Sequence, residues 1–526
     1  MTSLNETGRH ATRDNPLVKE TDSTKSSGAS SSRAWLTSAM STIAAPSVPF
    51  DALQRRFTSH YQDRDPLDLD EGTVVVVPSL TFPVAELRKI VAIQHYEERL
   101  LYLLLLLRRP GVRVVYLSSL PIDRAIVDYY LGFLPDPAGA RERLHMLAVE
   151  DPEPRALTAK VLERPDLIVR IRELAGDPAG AFLLPFNVTP LEGRLAEWLR
   201  LPFYGPSPAL APLGSKTGSR RVARRAGVPV LDGAEDLWTV AEVERAIRRL
   251  RERSPGLEGA VVKLNNGFSG QGNAVVHLDE LTARLEDSRT TFCAEQESWA
   301  TFGSKVRESG AVVEELLRAP GLMSPSVQLR ITPGGKPKIV STHDQVLGGP
   351  NDQVYLGCRF PASPRYRASI QAAAMRAAEV LASHRVIGSF GVDFFVVPSG
   401  DGLRIFLAEI NLRVGGTTHP LGMVSLASGA VYDPSSGQLE IDGRAKFYVS
   451  TDNLKSHQLV GMTPARVIEL LDRRGLSFDR GRMTGTTLHL LGALREYGKM
   501  GVTCVGDSPE EAEERYREVC ATVAPA

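Results

Sequence analysis

The 526-residue chain reads as a mixed α/β and α+β protein: a doubly wound parallel sheet, then a larger part built from hairpins, then a small α+β unit. Three observations predict this. Apolar runs alternate with helical stretches between residues 73 and 205, which is the pattern of strands joined by crossover helices. The Pro- and Gly-dense segment PFYGPSPALAPLGS at 202–215 then interrupts the alternation, and hairpin signals dominate beyond it. From about residue 441 the chain carries a helix in TPARVIELLDRRG, strands in TTLHLLGAL and GKMGVTCVG, and a terminal helix in SPEEAEERYREVC.

These signals divide the chain at 1–45, 46–205, 206–440 and 441–526, close to the three units plus a tail that roughly 150 residues per domain implies. The first part contains SSGASSSR, is poor in aromatics, and reads as a disordered tail that buries too little surface to order itself. In the second, TVVVVPSL, VRVVYLSS and AFLLPFNV predict strands, and the stretch near 83–109 and LEGRLAEWL predict helices. The sheet is Rossmann-like, but PSLTFP follows the first strand where a dinucleotide-binding loop needs GxGxxG, so that function is not supported.

Composition narrows the partners. Lysine plus arginine number 62 and aspartate plus glutamate number 62, so no net field draws the chain to nucleic acid or anionic lipid. The apolar run at 100–107 is too short for a bilayer and is flanked by Glu97, Glu98, Arg108 and Arg109. The expected location is therefore cytoplasmic, with no membrane segment and no apolar leader. Cys293, Cys358, Cys504 and Cys520 lack metal-ligand spacing and read as buried thiols in a reducing compartment.

Four segments carry chemistry. In SKTGSRRVARRAGVPV, Ser215 suits an N-cap, Gly227 a helix stop, and Lys216 stands in the first turn, where a helix start favours phosphate. A solvated lysine on a basic helix is the alternative. In AVVKLNNGFSGQGNAVVHL, Lys263 ends a strand, a loop follows through Gly267, Ser269, Gly270 and Gly272, and the chain returns as a strand. A Walker loop places its lysine after the glycines and opens a helix, so this is instead a hairpin flap whose backbone can approach phosphate oxygens. A merely long hairpin remains possible at this point.

The segment AVVEELL places Glu314 and Glu315 at a strand end that resembles a hinge, with backbone near Glu315 and Leu317 facing an adenine edge and Glu314 accepting from its amino group. Plain surface glutamates are the alternative. The last segment is GVDFFVVPSGDGLRIFLAEINLRVGGTTHP, two apolar strands about the turn PSGDG. Glu409, Asn411 and Arg413 alternate by two and share one face, and an even register adds Asp393 to it. Buried acids without a partner are costly, so this oxygen set calls for Mg²⁺ or Mn²⁺, a structural pairing with Arg413 being the alternative.

Taken in order, Lys216, Lys263 with its flap, the Glu314 hinge, Asp393 and the Glu409-x-Asn411-x-Arg413 strand resemble the motif order of the ATP-grasp superfamily over about 206–440. The preceding sheet resembles its pre-ATP-grasp domain, and GALREYGKMGVTCVGDSPEEA its small C-terminal unit. The combination is most similar to the pheganomycin-type peptide ligases.

The resemblance implies ATP and Mg²⁺ (or Mn²⁺) as cofactors. It assigns Lys216 and Lys263 to phosphates, the residues from Glu314 to Leu317 to adenine, and Asp393, Glu409 and Asn411 to metal, with Arg413 and Lys263 at the transferring group. Gln328 in SVQLRI takes the ribose position usually held by an acid, while Arg330 beside it suits either a substrate anion or an internal ion pair. The implied reaction joins a small-molecule or peptide carboxylate to an amine through an acyl phosphate. A kinase that stops after phosphorylation, and a nucleotide-binding scaffold without turnover, are the rivals. His343, His419 and Thr418 are candidate bases, and a homodimer stays open.

Overall fold

The computed structural model describes residues 48–267, 272–294, 297–348 and 354–524; the expected tail at 1–45 and the loop positions Ser269 and Gly270 lie outside them. Strands β1 (Glu71–Val77), β2 (Gly111–Ser118), β3 (Leu144–Ala148) and β4 (Ala181–Pro185) form a parallel sheet in the order β3-β2-β1-β4. Their near-continuous Val and Leu content fits a sheet covered on both faces. The expected helix near 83–109 is instead a short helix, Val84–Leu87, and a 3-10 segment, Ile93–Arg108. The segment has no polar stripe because it is sunk in the core, where residues 100–107 are all buried and each leucine contributes about 2 kcal/mol.

Beyond the crossing, β5 (Gly233–Leu237), β6 (Gly259–Leu264), β7 (Asn273–His277), β8 (Thr290–Phe292) and β9 (Ala311–Glu315) make a five-stranded sheet ordered β5-β9-β6-β7-β8. The helices Val240–Arg253 and Trp299–Ser309 pack on it through Val243, Ile247, Leu250, Phe302 and Val306. Next come β10 (Pro325–Ile331), β11 (Pro337–Gly348), β12 (Val354–Phe360), β13 (Gly388–Ser399) and β14 (Gly402–Asn411), then a small sheet of β15 (Tyr432–Asp433), β16 (Gln438–Ile441) and β17 (Arg444–Ala445). The helix Arg367–Ser383 covers the larger sheet with a face of alanines, Ile370 and Leu381.

The C-terminal elements lie where the sequence places them, with helices Pro464–Arg473 and Pro509–Val523 capped by Thr463 and Ser508. Their strands, β18 (Phe447–Lys455), β19 (Gly485–His489) and β20 (Lys499–Gly506), do not form a sheet of their own. They extend the larger sheet to eight strands, ordered β14-β13-β10-β11-β12-β18-β20-β19. One core also joins Val74, Leu103 and Phe182 to Leu488, Val502 and Val519, so the stretch Pro46–Ala526 clusters as one unit across the boundaries expected at 205 and 440. Among the described residues no helix is long and apolar enough to cross a membrane. All four cysteines are free; Cys293, Cys358 and Cys504 are buried as expected, whereas Cys520 is only half-buried.

Candidate functional site

The helix Lys216–Arg225 starts as the sequence predicts, with Ser215 Oγ accepting from the Gly218 amide at 3.0 Å. It is tied to the flap at the same point, where Asn265 accepts from the Lys216 amide through its carbonyl (3.2 Å) and from the Thr217 amide through Oδ1 (2.9 Å). Across the flap, Lys263 pairs with Asn273 in an antiparallel ladder, so the chain does return as a strand. The loop base is closed by glycine: a Cβ on Gly272 would lie 2.9 Å from the Gly267 Cα, which leaves no room for a side chain.

Asp393 and Glu409 are direct cross-strand partners of β13 and β14, and Asn411 follows on the same face opposite Gly391. Asp393 accepts from Gln345 Nε2 (2.8 Å) and Asn411 Nδ2 (2.9 Å), while Glu409 meets Lys216 Nζ at 2.5 Å. Arg413 donates to Asn411 Oδ1 at 2.8 Å. Burial, reinforced by the Glu409 charge, lifts the Asp393 carboxyl to about 6 against the Ser326 hydrogen bond and the Arg413 and Lys216 charges. Burial also lowers Arg413. Like charges facing each other in a half-buried cleft, with an amide oxygen beside them, form a donor set that suits a hard divalent cation. Lys216, Lys263, Asp393, Glu409, Asn411 and Arg413 all line this one cleft.

A second cleft of about 850 Å³ opens beside it, lined by Glu315, Leu316, Leu317, Met323 and Phe395, and Lys263 borders both. Here the expectation for the Glu314 side chain needs correction. Glu314 is 2% exposed and is not among the residues that line this cleft. Its carboxylate takes Lys263 Nζ at 2.7 Å on one oxygen and Arg220 at 2.6 Å on the other, so both oxygens are engaged by buried cations. Burial works to raise its pKa, but the Lys263 and Arg220 charges outweigh that and hold it below the usual carboxylate value.

Gln328 likewise does not line the second cleft; it stands with Asp393 and Arg413 in the first, bonded to Ser326 and Thr418. Its place on β10 opposite Gly391 sets it there. Arg330 proves to be an internal partner, paired with Asp65 and bonded to Ser389 Oγ at 3.2 Å.

The histidines are also packed rather than poised. His343 is fully buried, 2.6 Å from the Tyr448 hydroxyl, and burial pushes it down to about 3. His419 is 3% exposed and burial pushes it down to about 4. Thr418 spends its hydroxyl on Gln328 and on the Gly415 amide. Sequence reasoning missed Arg220, although it lies one turn from Lys216 and so shares its helix face. It also missed Gln345 and Phe395, for which no local signal exists.

Residues 275–427 match the family model described as IQCH-like, ATP-grasp, and residues 466–519 match the PGM1 C-terminal domain. A biotin carboxylase from Campylobacter jejuni, solved as a β,γ-ATP complex, superimposes with a TM-score of 0.53 at 13% identity, covering 86% of this chain and 91% of that one. An ATP-grasp fold thus carries the cleft. The chain is also 32% identical over 454 residues to the L-propargylglycine–L-glutamate ligase of Streptantibioticus cattleyicolor, covering 84% of this chain and 92% of that protein. It is 22% identical over 376 residues to IQ motif-containing protein H of Danio rerio, covering 61% of this chain and 35% of that protein. The chain belongs to the ATP-grasp ligases, within the pheganomycin-type peptide ligases, and is an ATP-dependent ligase.

Proposed function

We propose that the protein joins the carboxylate of one amino acid or peptide to the amine of another, with Mg·ATP as the energy source. The single observation that carries this reading is the convergence of two lysines, two facing acids, an amide and an arginine on one cleft bordering a second, less charged one. The relative that ligates propargylglycine and glutamate supports an amino-acid substrate class.

In this reading adenine enters the second cleft, where backbone groups between Glu315 and Leu317 meet its edge and Phe395 packs beside it. The glycines at 267–272 and Lys263 cover the phosphates, and Lys216 meets them from the helix start. Asp393, Glu409 and Asn411 would hold magnesium, which neutralises phosphate charge when bound. Glu314 aims Lys263 through their 2.7 Å hydrogen bond, and Arg413 orients the reacting carboxylate.

The carboxylate oxygen attacks the γ-phosphorus and ADP leaves. The amine then attacks the acyl carbon, phosphate departs with the C–O bond electrons, and the amine gives up a proton. The flap keeps water from the acyl phosphate in the meantime. We place the reaction in the cytoplasm, consistent with four free cysteines.

A screen of amino acids and dipeptides with Mg·ATP, read by phosphate release and by mass spectrometry of the adduct, tests the proposal. An amide-linked product with free phosphate is expected. A stable phosphorylated product would instead make the protein a kinase.

A further inference from the structure

One buried cation in the cleft has no place in the scheme above. Arg99 comes from the 3-10 segment Ile93–Arg108 and is 8% exposed, yet it lines the same cleft as Asp393, Asn411 and Arg413. Its guanidinium lies 4.2 Å over the Tyr96 ring and donates to Asp452 Oδ2. Asp452 Oδ1 in turn accepts from His489 Nε2 at 2.7 Å and faces His419 Nε2 at 3.0 Å. The cation is therefore clamped on one face and at one corner.

The rest of the guanidinium is underused. Of five N–H donors, the one on Nε is buried with no hydrogen-bond partner among the described residues, which is rare for a native group without a purpose. Arg99 and Arg413 both line this cleft. Two guanidinium groups sharing a buried cleft favour two anions.

Arg413, beside the metal-type oxygens, accounts for the carboxylate that reacts. An amino acid or peptide substrate brings another carboxylate that is not consumed, and this charge must also lose its water on entering. A planar guanidinium fixed by its neighbours is the side chain best shaped to receive it. Ligand atoms, one each from His419, Asp452 and His489, lie within 4.8 Å of one another, a spacing a metal ion also accepts. Because Arg99 already neutralises Asp452, the cluster serves better as a brace for that arginine.

We propose that Arg99 binds a non-reacting carboxylate of the amino-acid substrates, with Asp452, His419 and His489 as positioning residues. This rests on the ligase reading and narrows it to substrates that carry a free carboxylate besides the one activated.

The test measures phosphate release with Mg·ATP for productive amino-acid pairs, replacing each partner in turn by its α-carboxamide. Wild type is expected to prefer the acid over the amide by about tenfold or more in kcat/KM at the partner Arg99 reads, as a charge-assisted fork implies. Arg99→Lys, which keeps a cation beside Asp452, should retain part of that preference. The double variant Arg99→Met, Asp452→Asn should lose it to within about threefold, with KM for ATP unchanged, because neither charge is left buried alone.

Which partner shows the effect identifies the donor or the acceptor as the source of the carboxylate. An acid preference equal to wild type in both variants overturns the assignment. Failure of wild type to release phosphate with any pair overturns the ligase reading instead.

Discussion

Asp393 and Glu409 share one rung of the β13–β14 ladder because the register slips immediately before it. From the turn, Ser399 pairs with Gly402 and Phe394 with Leu407, so a regular continuation would set Ala408 opposite Asp393 and turn Glu409 to the other face. The bulge spends Ala408 as the extra residue and places the two acids side by side. Lys216 then sits 2.5 Å from Glu409.

Replacing Glu409 by Gln removes one of those acids without opening a cavity. Phosphate release with Mg·ATP should fall on the order of 100-fold, as for loss of one preorganised charge, while thermal unfolding stays close to wild type. Full activity in Glu409→Gln would refute the assigned metal ligand.

Glu314 answers to a different measurement. Its removal in Glu314→Ala leaves Lys263 and Arg220 buried without their shared counter-charge, so urea unfolding should show a loss of about 3 kcal/mol. If Glu314 instead held only an adenine amino group, the free protein would be nearly unaffected and ATP binding alone would weaken.

Acid sensitivity follows from the buried histidines. Burial sets His343 at about 3 and His419 at about 4, against an ordinary value of 6.5. The unfolded chain therefore binds protons that the folded one refuses. Their stabilising contribution is complete above pH 6.5 and is lost as pH falls toward these values, by about 1.4 kcal/mol per pH unit for each histidine. Urea midpoints should drop between pH 7 and pH 5, and His343→Leu should flatten that slope. An unchanged slope in the variant would mean that His343 does not resist protonation.

Local pattern carried a large share of the molecule. The Val-rich runs of the first sheet, the Ser215 cap and the lysine-before-glycine order of the flap are short-range signals. They specify strands, helix starts and a hairpin through contacts within a few residues. Arg220 was within reach of the same reasoning, since helix periodicity alone puts it beside Lys216. Glu314 was not, because a glutamate at a strand end looks the same whether it faces solvent or two buried cations.

The sequence by itself determined most of the elements and their order, the 83–109 stretch excepted, since propensity, alternation and turn chemistry act between neighbours in the chain. Only the tertiary structure decided which of those residues meet. The bulge that aligns Asp393 with Glu409, the burial of Glu314 between Lys263 and Arg220, the contact of Gln328 with Thr418 and the arrival of Arg99 from more than a hundred residues upstream all depend on packing between distant segments. Such packing is set by the summed burial of the whole core, which no local stretch encodes.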